Sequence, residues 1–345
     1  MSSARTRGGD RRTRPAASPG RASAGTDQEE DSRAPRPRRT GWRRRPATSA
    51  AVGATVLALA AAAGCGAAPA GRPPARPTPR QPAAAASGPV GGGAAWTGQF
   101  TGYGSPSWQH AWGVAGQGAW GGDNLAEVSD PTAPGDGSAL RVTYGAGSSD
   151  NKCADCPATG GGQFYTDLNA LGLSALAHGS TLDLAYRVRF PAGRDWGRAG
   201  KLPGLYGGRI GQESGGNHGS GWSTRYMWRG ANGVPDNGEV YLYTPTNSGP
   251  TGYGVDEGLG DWRFLADGTW HTVEQLVNRT TGDITVWYDG RQVHSAHGEA
   301  SGISSLPFGG VLFSTFYGGH DTSWGPTSTQ QAYFADFSLS PGVQH

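Results

Sequence analysis

The sequence predicts an all-β fold, a two-sheet jelly-roll sandwich of the concanavalin-like kind, over its last 250 residues. Three observations lead there. Short runs rich in Val, Tyr, Trp, Phe and Thr are punctuated by Gly, Ser, Asn and Asp clusters. Several runs alternate apolar and polar residues with the period of two expected of a strand with one buried face. No helices recur between them, as a parallel sheet with crossovers would require.

The folded part opens at Trp96, and no internal repeat divides it. Ser138–Tyr144 reads as a strand with Leu140 and Val142 on one side. Only Leu168–Ala177 has helical spacing, and that briefly. Thr181–Phe190 is the clearest strand, with Leu182, Leu184, Tyr186, Val188 and Phe190 forming one apolar face. Lys201 reads as a loop residue leading into two further strand-like pieces, GWSTRYMWR and EVYLYT. In the first of these Trp222, Tyr226 and Trp228 alternate with Ser223 and Arg225, which assigns the three aromatics to the packed face. Asp256 and Glu257 fall in a Gly-rich stretch read as loop. Trp270–Arg279 and Asp283–Tyr288 form a hairpin, and Asp289-Gly290 turns the chain into Arg291–Val293. Val311–Tyr317 and Ala332–Leu339 close the set.

Ahead of this domain, assigned to 96–345, the composition changes three times. Residues 1–47 form a basic tail expected to be disordered. Residues 48–65 carry an uncharged Ala/Val/Leu segment, Ala50–Ala63, behind Arg43-Arg44-Arg45, which reads as an export signal. At fourteen residues it is shorter than the roughly twenty that span a bilayer. Ala62-Ala63-Gly64-Cys65 resembles a bacterial lipobox, which makes Cys65 the expected lipidation site and membrane attachment point. Residues 66–95 are an Ala/Pro/Gly linker. Export to the cell surface or beyond agrees with the remaining cysteines, Cys153 and Cys156, which are expected to pair as a disulfide in an oxidising compartment.

The formal charge of +2 conceals a split, because sixteen of the basic residues lie before Trp96. The folded part holds thirteen basic and twenty-two acidic residues, a poor composition for a nucleic-acid binder. Eight of those thirteen fall between Arg187 and Arg229, which reads as a local patch for a polyanion.

Chemistry concentrates between Lys201 and Tyr243. Ser223 with Arg225, and Tyr241 with Tyr243, are spaced two apart, so each pair leaves one face of its strand. No acid pair on a strand supports glycoside hydrolysis, no G-x-S-x-G elbow supports a serine nucleophile, and the histidines lack metal-ligand spacing. A guanidinium, an ammonium, a hydroxyl and two phenols suit a different reaction. In a polyuronate the C5 proton is α to a carboxylate, and its removal requires that carboxylate to be neutralised by donors such as Arg225 and Ser223. A phenol can then act in proton transfer at C5 and at the departing O4, and cations near it favour its phenolate. No cofactor or metal is called for.

KLPGLYGG at 201–208, STRYMWR at 223–229 and the YLY of 241–243 closely resemble polysaccharide lyase family fourteen, as do GGQF at 161–164 and FYGGHDTSW at 316–324. The resemblance implies a β-jelly roll acting on alginate or glucuronan. It implies catalytic roles for Lys201, Ser223, Arg225, Tyr241 and Tyr243, and a monomer acting on an acidic polysaccharide. Gln163, Arg209, Arg229 and His218 are further substrate-binding candidates. The competing expectation is a non-catalytic jelly roll that grips acidic glycans.

Overall fold

A computed structural model of the chain describes residues 93–100, 107–214, 219–230, 237–246 and 253–344. The basic tail, the export segment with Cys65, nearly all of the linker, and His218 lie outside them.

The strands are β1 (Trp96–Gly98), β2 (Val114–Trp120), β3 (Leu125–Ser129), β4 (Ser138–Tyr144), β5 (Gly162–Thr166), β6 (Thr181–Arg189), β7 (Ala199–Gly208) and β8 (Gly221–Arg229). They continue with β9 (Gly238–Tyr243), β10 (Val255–Trp262), β11 (Trp270–Asn278), β12 (Asp283–Tyr288), β13 (Arg291–Ala296), β14 (Phe308–Tyr317) and β15 (Gln330–Ser340). Two short helices, α1 (Trp108–Ala111) and α2 (Ser174–His178), are the α-helices among the described residues. The first sheet runs β13-β12-β11-β6-β15-β4-β3, with β1 paired to β15. The second runs β10-β9-β8-β7-β14-β5-β2, and all its pairings are antiparallel. Two antiparallel sheets sharing one core form a sandwich, as the strand pattern predicts.

The core between the sheets follows from the period-two patterns. Leu182, Leu184, Tyr186 and Val188 of β6 pack into one buried cluster with Trp222, Tyr226 and Trp228 of β8 and Val240 and Leu242 of β9. Buried polar groups pair across the gap: Thr224 Oγ1 donates to Gln275 Oε1 at 2.5 Å, and Gln275 Nε2 returns a bond to the Thr224 carbonyl at 3.1 Å. Buried side chains of this kind are tolerated because each finds a partner.

Three sequence expectations need correction. The helical spacing of Leu168–Ala177 is realised only in α2, because the chain turns at Asp167–Leu173 through backbone bonds such as Leu171 N to the Asp167 carbonyl at 3.0 Å. Lys201 lies on β7, not in a loop, although Pro203 cannot donate to a ladder. A register shift between Leu202 and Gly204 absorbs the missing N–H, as a bulge does elsewhere. Asp256 and Glu257 lie on β10, an edge strand, paired with Tyr241 and Val240.

The basic stretch is likewise not one surface. Arg187 and Arg189 belong to the first sheet, where they meet Asp336 at 3.9 Å and Asp130 at 2.6 Å. Arg194 is buried with its guanidinium 4.9 Å from the centroids of Tyr144, Phe190 and Trp228. Sequence neighbours on β6 and β7 are separated by the change of sheet, so only the later members reach a common face.

A clamp at one end of the first sheet gives a testable pH response. His271, buried on β11 and stacked on Tyr288, meets Asp289 through Nδ1 at 2.8 Å and Asp267 through Nε2 at 3.1 Å. Burial opposes charging the ring, but the two carboxylates outweigh it and its pKa is raised. A raised folded-state pKa stabilises fully below the unfolded value of about 6.5, and the stabilisation is lost as pH climbs through the folded value. Thermal melts of wild type should therefore lose a few degrees across that window, and His271→Asn should flatten the loss. Parallel melting curves for the two proteins would show that the clamp contributes nothing.

Candidate active site

The outer face of the second sheet collects the polar residues that its inner face excludes. Residues directly opposite on paired strands point to the same side. The register therefore sets Lys201 beside Met227 and Met227 beside Glu239; Arg225 lies beside Tyr241, Ser223 beside Tyr243, and Tyr241 beside Asp256. The five sequence-predicted catalytic side chains thus share one face across β7, β8 and β9.

Lys201 is almost buried, at 7% exposure, with Nζ 3.2 Å from the centroid of the Tyr241 ring and 2.9 Å from Met227 Sδ. The rings of Tyr241 and Tyr243 meet edge to face at 5.3 Å. Tyr243 is 3% exposed, whereas Tyr241 is half-buried and is the phenol more open to a ligand. Burial pushes the Tyr241 phenol well above its ordinary value; Tyr243 and Asp256 add to this, and Arg229 opposes it. For Tyr241 this corrects the expectation of a cation-favoured phenolate. Tyr241 holds its proton firmly, because removal from water outweighs the nearby positive charge.

Arg225 donates from one terminal nitrogen to Ser314 Oγ at 3.1 Å and lies 5.8 Å from the Tyr243 ring centroid. Its Nε is buried with no hydrogen-bond partner among the described residues. Ser314 donates onward to Gln163 Oε1 at 2.7 Å, and Gln163 Nε2 reaches the Tyr165 hydroxyl at 3.1 Å. Tyr165 donates to Glu213 Oε1 at 2.5 Å, and Ser223 Oγ donates to the Glu213 backbone carbonyl at 2.8 Å. Arg225 is thereby held at one end of a bonded chain that crosses β14 and β5. Ser223 shares the face, but its proton is already committed to Glu213.

Of the further candidates, Gln163 joins this chain and Arg229 has acidic partners. Arg229 Nε lies 2.9 Å from Glu239 Oε1, and its terminal nitrogen lies 2.6 Å from Asp256 Oδ1. Arg209 sits beyond the end of β7 on an exposed turn. Glu239, fully buried, does not stand alone as its place in the sequence suggests. Burial raises its carboxyl, which Arg229 and Lys201 partly offset, to about 7. Sequence reading missed Met227 and Glu239 as members of this face, although they share strand parity with Arg225 and Tyr241 and could have been found by it. Ser314 and Glu213 carried no such signal, since only the pairing of distant strands brings them here.

The family pattern for polysaccharide lyase 14 matches residues 132–337, which is most of the sandwich and every residue of this face named above. The chain belongs to the polysaccharide lyase 14 family. It is a polysaccharide lyase on a jelly-roll scaffold. Among solved structures it is similar to the marine PL-14 alginate lyase from Aplysia kurodai, at 27% identity and a TM-score of 0.57, over 72% of this chain and 99% of that one. It is also similar in fold to the alginate lyase vAL-1 from Chlorella virus, at 23% identity and a TM-score of 0.50, over 63% of this chain and 89% of that one. A sequence comparison with curated proteins finds no match.

Proposed function

We propose that this lyase cleaves a 1,4-linked polyuronate, alginate or glucuronan, by β-elimination, and that it acts outside the cell, free or held by a lipidated Cys65. The observation that carries the reading is the shared face of Lys201, Arg225, Tyr241 and Tyr243, on which the two acids, Glu239 and Asp256, are both engaged by Arg229. Acids tied to an arginine do not flank a linkage as a hydrolase pair does. The sequence likeness to an alginate lyase supports the same substrate class.

In this mechanism the substrate carboxylate docks on the Arg225 guanidinium, whose positive charge lies on the same face as Tyr241 and Tyr243. Neutralising that carboxylate stabilises the negative charge that develops as the C5 proton leaves. Tyr243, acting in its deprotonated form, takes the C5 proton onto its phenolic oxygen. Tyr241, the half-buried phenol that keeps its proton, delivers it to O4 as the glycosidic bond breaks. Electrons from the C5–H bond form the C4=C5 double bond, those of the C4–O4 bond leave with O4, and no water is added. Lys201, against the Tyr241 ring, favours negative charge on the phenol after transfer.

The direct test follows ultraviolet absorbance of the unsaturated uronate product with polyglucuronate, polymannuronate and polyguluronate in turn. Absorbance is expected to rise on at least one polymer, with new non-reducing ends in equal number. Chain shortening without that absorbance would mean hydrolysis and would overturn the proposal.

A further inference from the structure

We propose that Trp120 and Phe316 form a stacking platform for a sugar ring of the polysaccharide, on the same face as the reacting centre and on its β14 side. The inference rests on the polyuronate reading above and adds a subsite to it. The register carries the placement: Phe316 is directly opposite Lys201, Ser314 is opposite Gln163, and Gln163 is opposite Trp120. These pairings put both aromatic residues on the outer face of the second sheet, where their rings meet edge to face at 5.6 Å with planes inclined by 62°, so that each ring props the other.

Trp112, Trp222 and Trp228 are fully buried, as filling of a sandwich core requires; Trp120 and Phe316, like several aromatics elsewhere, are only partly buried, but these two meet on the outer face of the second sheet. Leaving large apolar rings half in water has no packing benefit, but it suits a pyranose. The C–H bonds on a sugar face carry partial positive charge and meet the negative face of an aromatic ring favourably.

The backbone around Trp120 is shaped for access. β2 is the edge strand of the second sheet among the described residues. Its register with β5 shifts between Ala115 and Trp120, and the arch so formed is fastened by Gln163 Nε2 donating to the Gly118 carbonyl at 2.9 Å. Beside the indole, a cavity of about 200 Å³ is lined by Asn124, Asp150, Asn151 and Thr159 together with Cys153 and Cys156. The disulfide of Cys153 and Cys156 closes the loop that forms this wall, and Asp150 within it is held by His320 Nδ1 at 2.6 Å. Asn124, Asn151 and Thr159 beside the indole suit the hydroxyls of a sugar ring, and the carboxylate of Asp150 in the same wall is engaged by His320.

Steady-state cleavage of a polyuronate and of the shortest oligouronate turned over, by wild type, Trp120→Ala, Trp120→Phe and Phe316→Ala, tests the platform. Trp120→Ala is expected to raise KM for the polymer about five- to tenfold, the range one aromatic contact supplies, with kcat kept within about twofold. The shortest substrate should be affected less, and Trp120→Phe should recover most of the loss. Phe316→Ala should behave as Trp120→Ala does, and it supplies the same readout if the latter fails to fold. Unchanged polymer KM in both alanine variants, or equal losses on long and short substrates, would overturn the platform while leaving the lyase reaction standing. If wild type releases no unsaturated product, the reaction proposed above has failed instead. Native gels cast with polyuronate then decide the platform: retarded wild type with unretarded Trp120→Ala supports it, and equal migration overturns it.

Discussion

Replacing Tyr241 with phenylalanine should reduce kcat by about 10²- to 10⁴-fold, the span of a lost general acid, while KM for the same polymer stays within roughly tenfold. Tyr241 is the more exposed of the two phenols, its ring lies against the Lys201 ammonium at 3.2 Å, and burial keeps its proton in place near neutral pH. Removing one oxygen takes away the proton owed to O4 and little of the surface that binds sugar. A loss confined to KM would mean that Tyr241 only binds, and the proton would have to come from elsewhere. Wild-type kcat in this variant would remove Tyr241 from the chemistry altogether.

A comparable loss, about 10²- to 10³-fold in kcat/KM, is expected for Arg225→Lys despite the conserved charge. The guanidinium does two things that an ammonium cannot do together. One terminal nitrogen donates to Ser314 Oγ at 3.1 Å, which fixes the plane of the group and leaves the rest of the fork to meet the substrate carboxylate. A lysine can supply a point charge there, but not the fixed pair of directions. Because Arg225 is 3% exposed, the variant's melting temperature belongs beside its kinetics. Full activity in a folded Arg225→Lys protein would show that charge alone suffices, and would remove the geometric part of the mechanism.

Much of this was legible from residue order. Ser138–Tyr144, Thr181–Arg189 and Asp283–Tyr288 form strands where alternation placed them, because period two on a half-buried surface admits few other solutions. The same parity assigned Trp222, Tyr226 and Trp228 inward and Ser223 and Arg225 outward. Lys201 was harder. It reads as a loop residue, yet it lies on β7, where a bulge at Leu202–Gly204 accommodates Pro203 beside β8 and β14.

The sequence by itself determined a sandwich of alternating strands and the identity of a cationic and phenolic set without a free carboxyl pair, since side-chain chemistry and strand parity are local properties. Only the tertiary structure decided which cations count and what state the phenol takes. Arg187 and Arg189 go to the other sheet, Arg194 is buried against aromatic rings, and Arg229 is held by Glu239 and Asp256. Tyr241 is protonated because desolvation outweighs the neighbouring charge. Both outcomes depend on strand order and burial, which arise from contacts between distant segments and have no signature in any short stretch of chain.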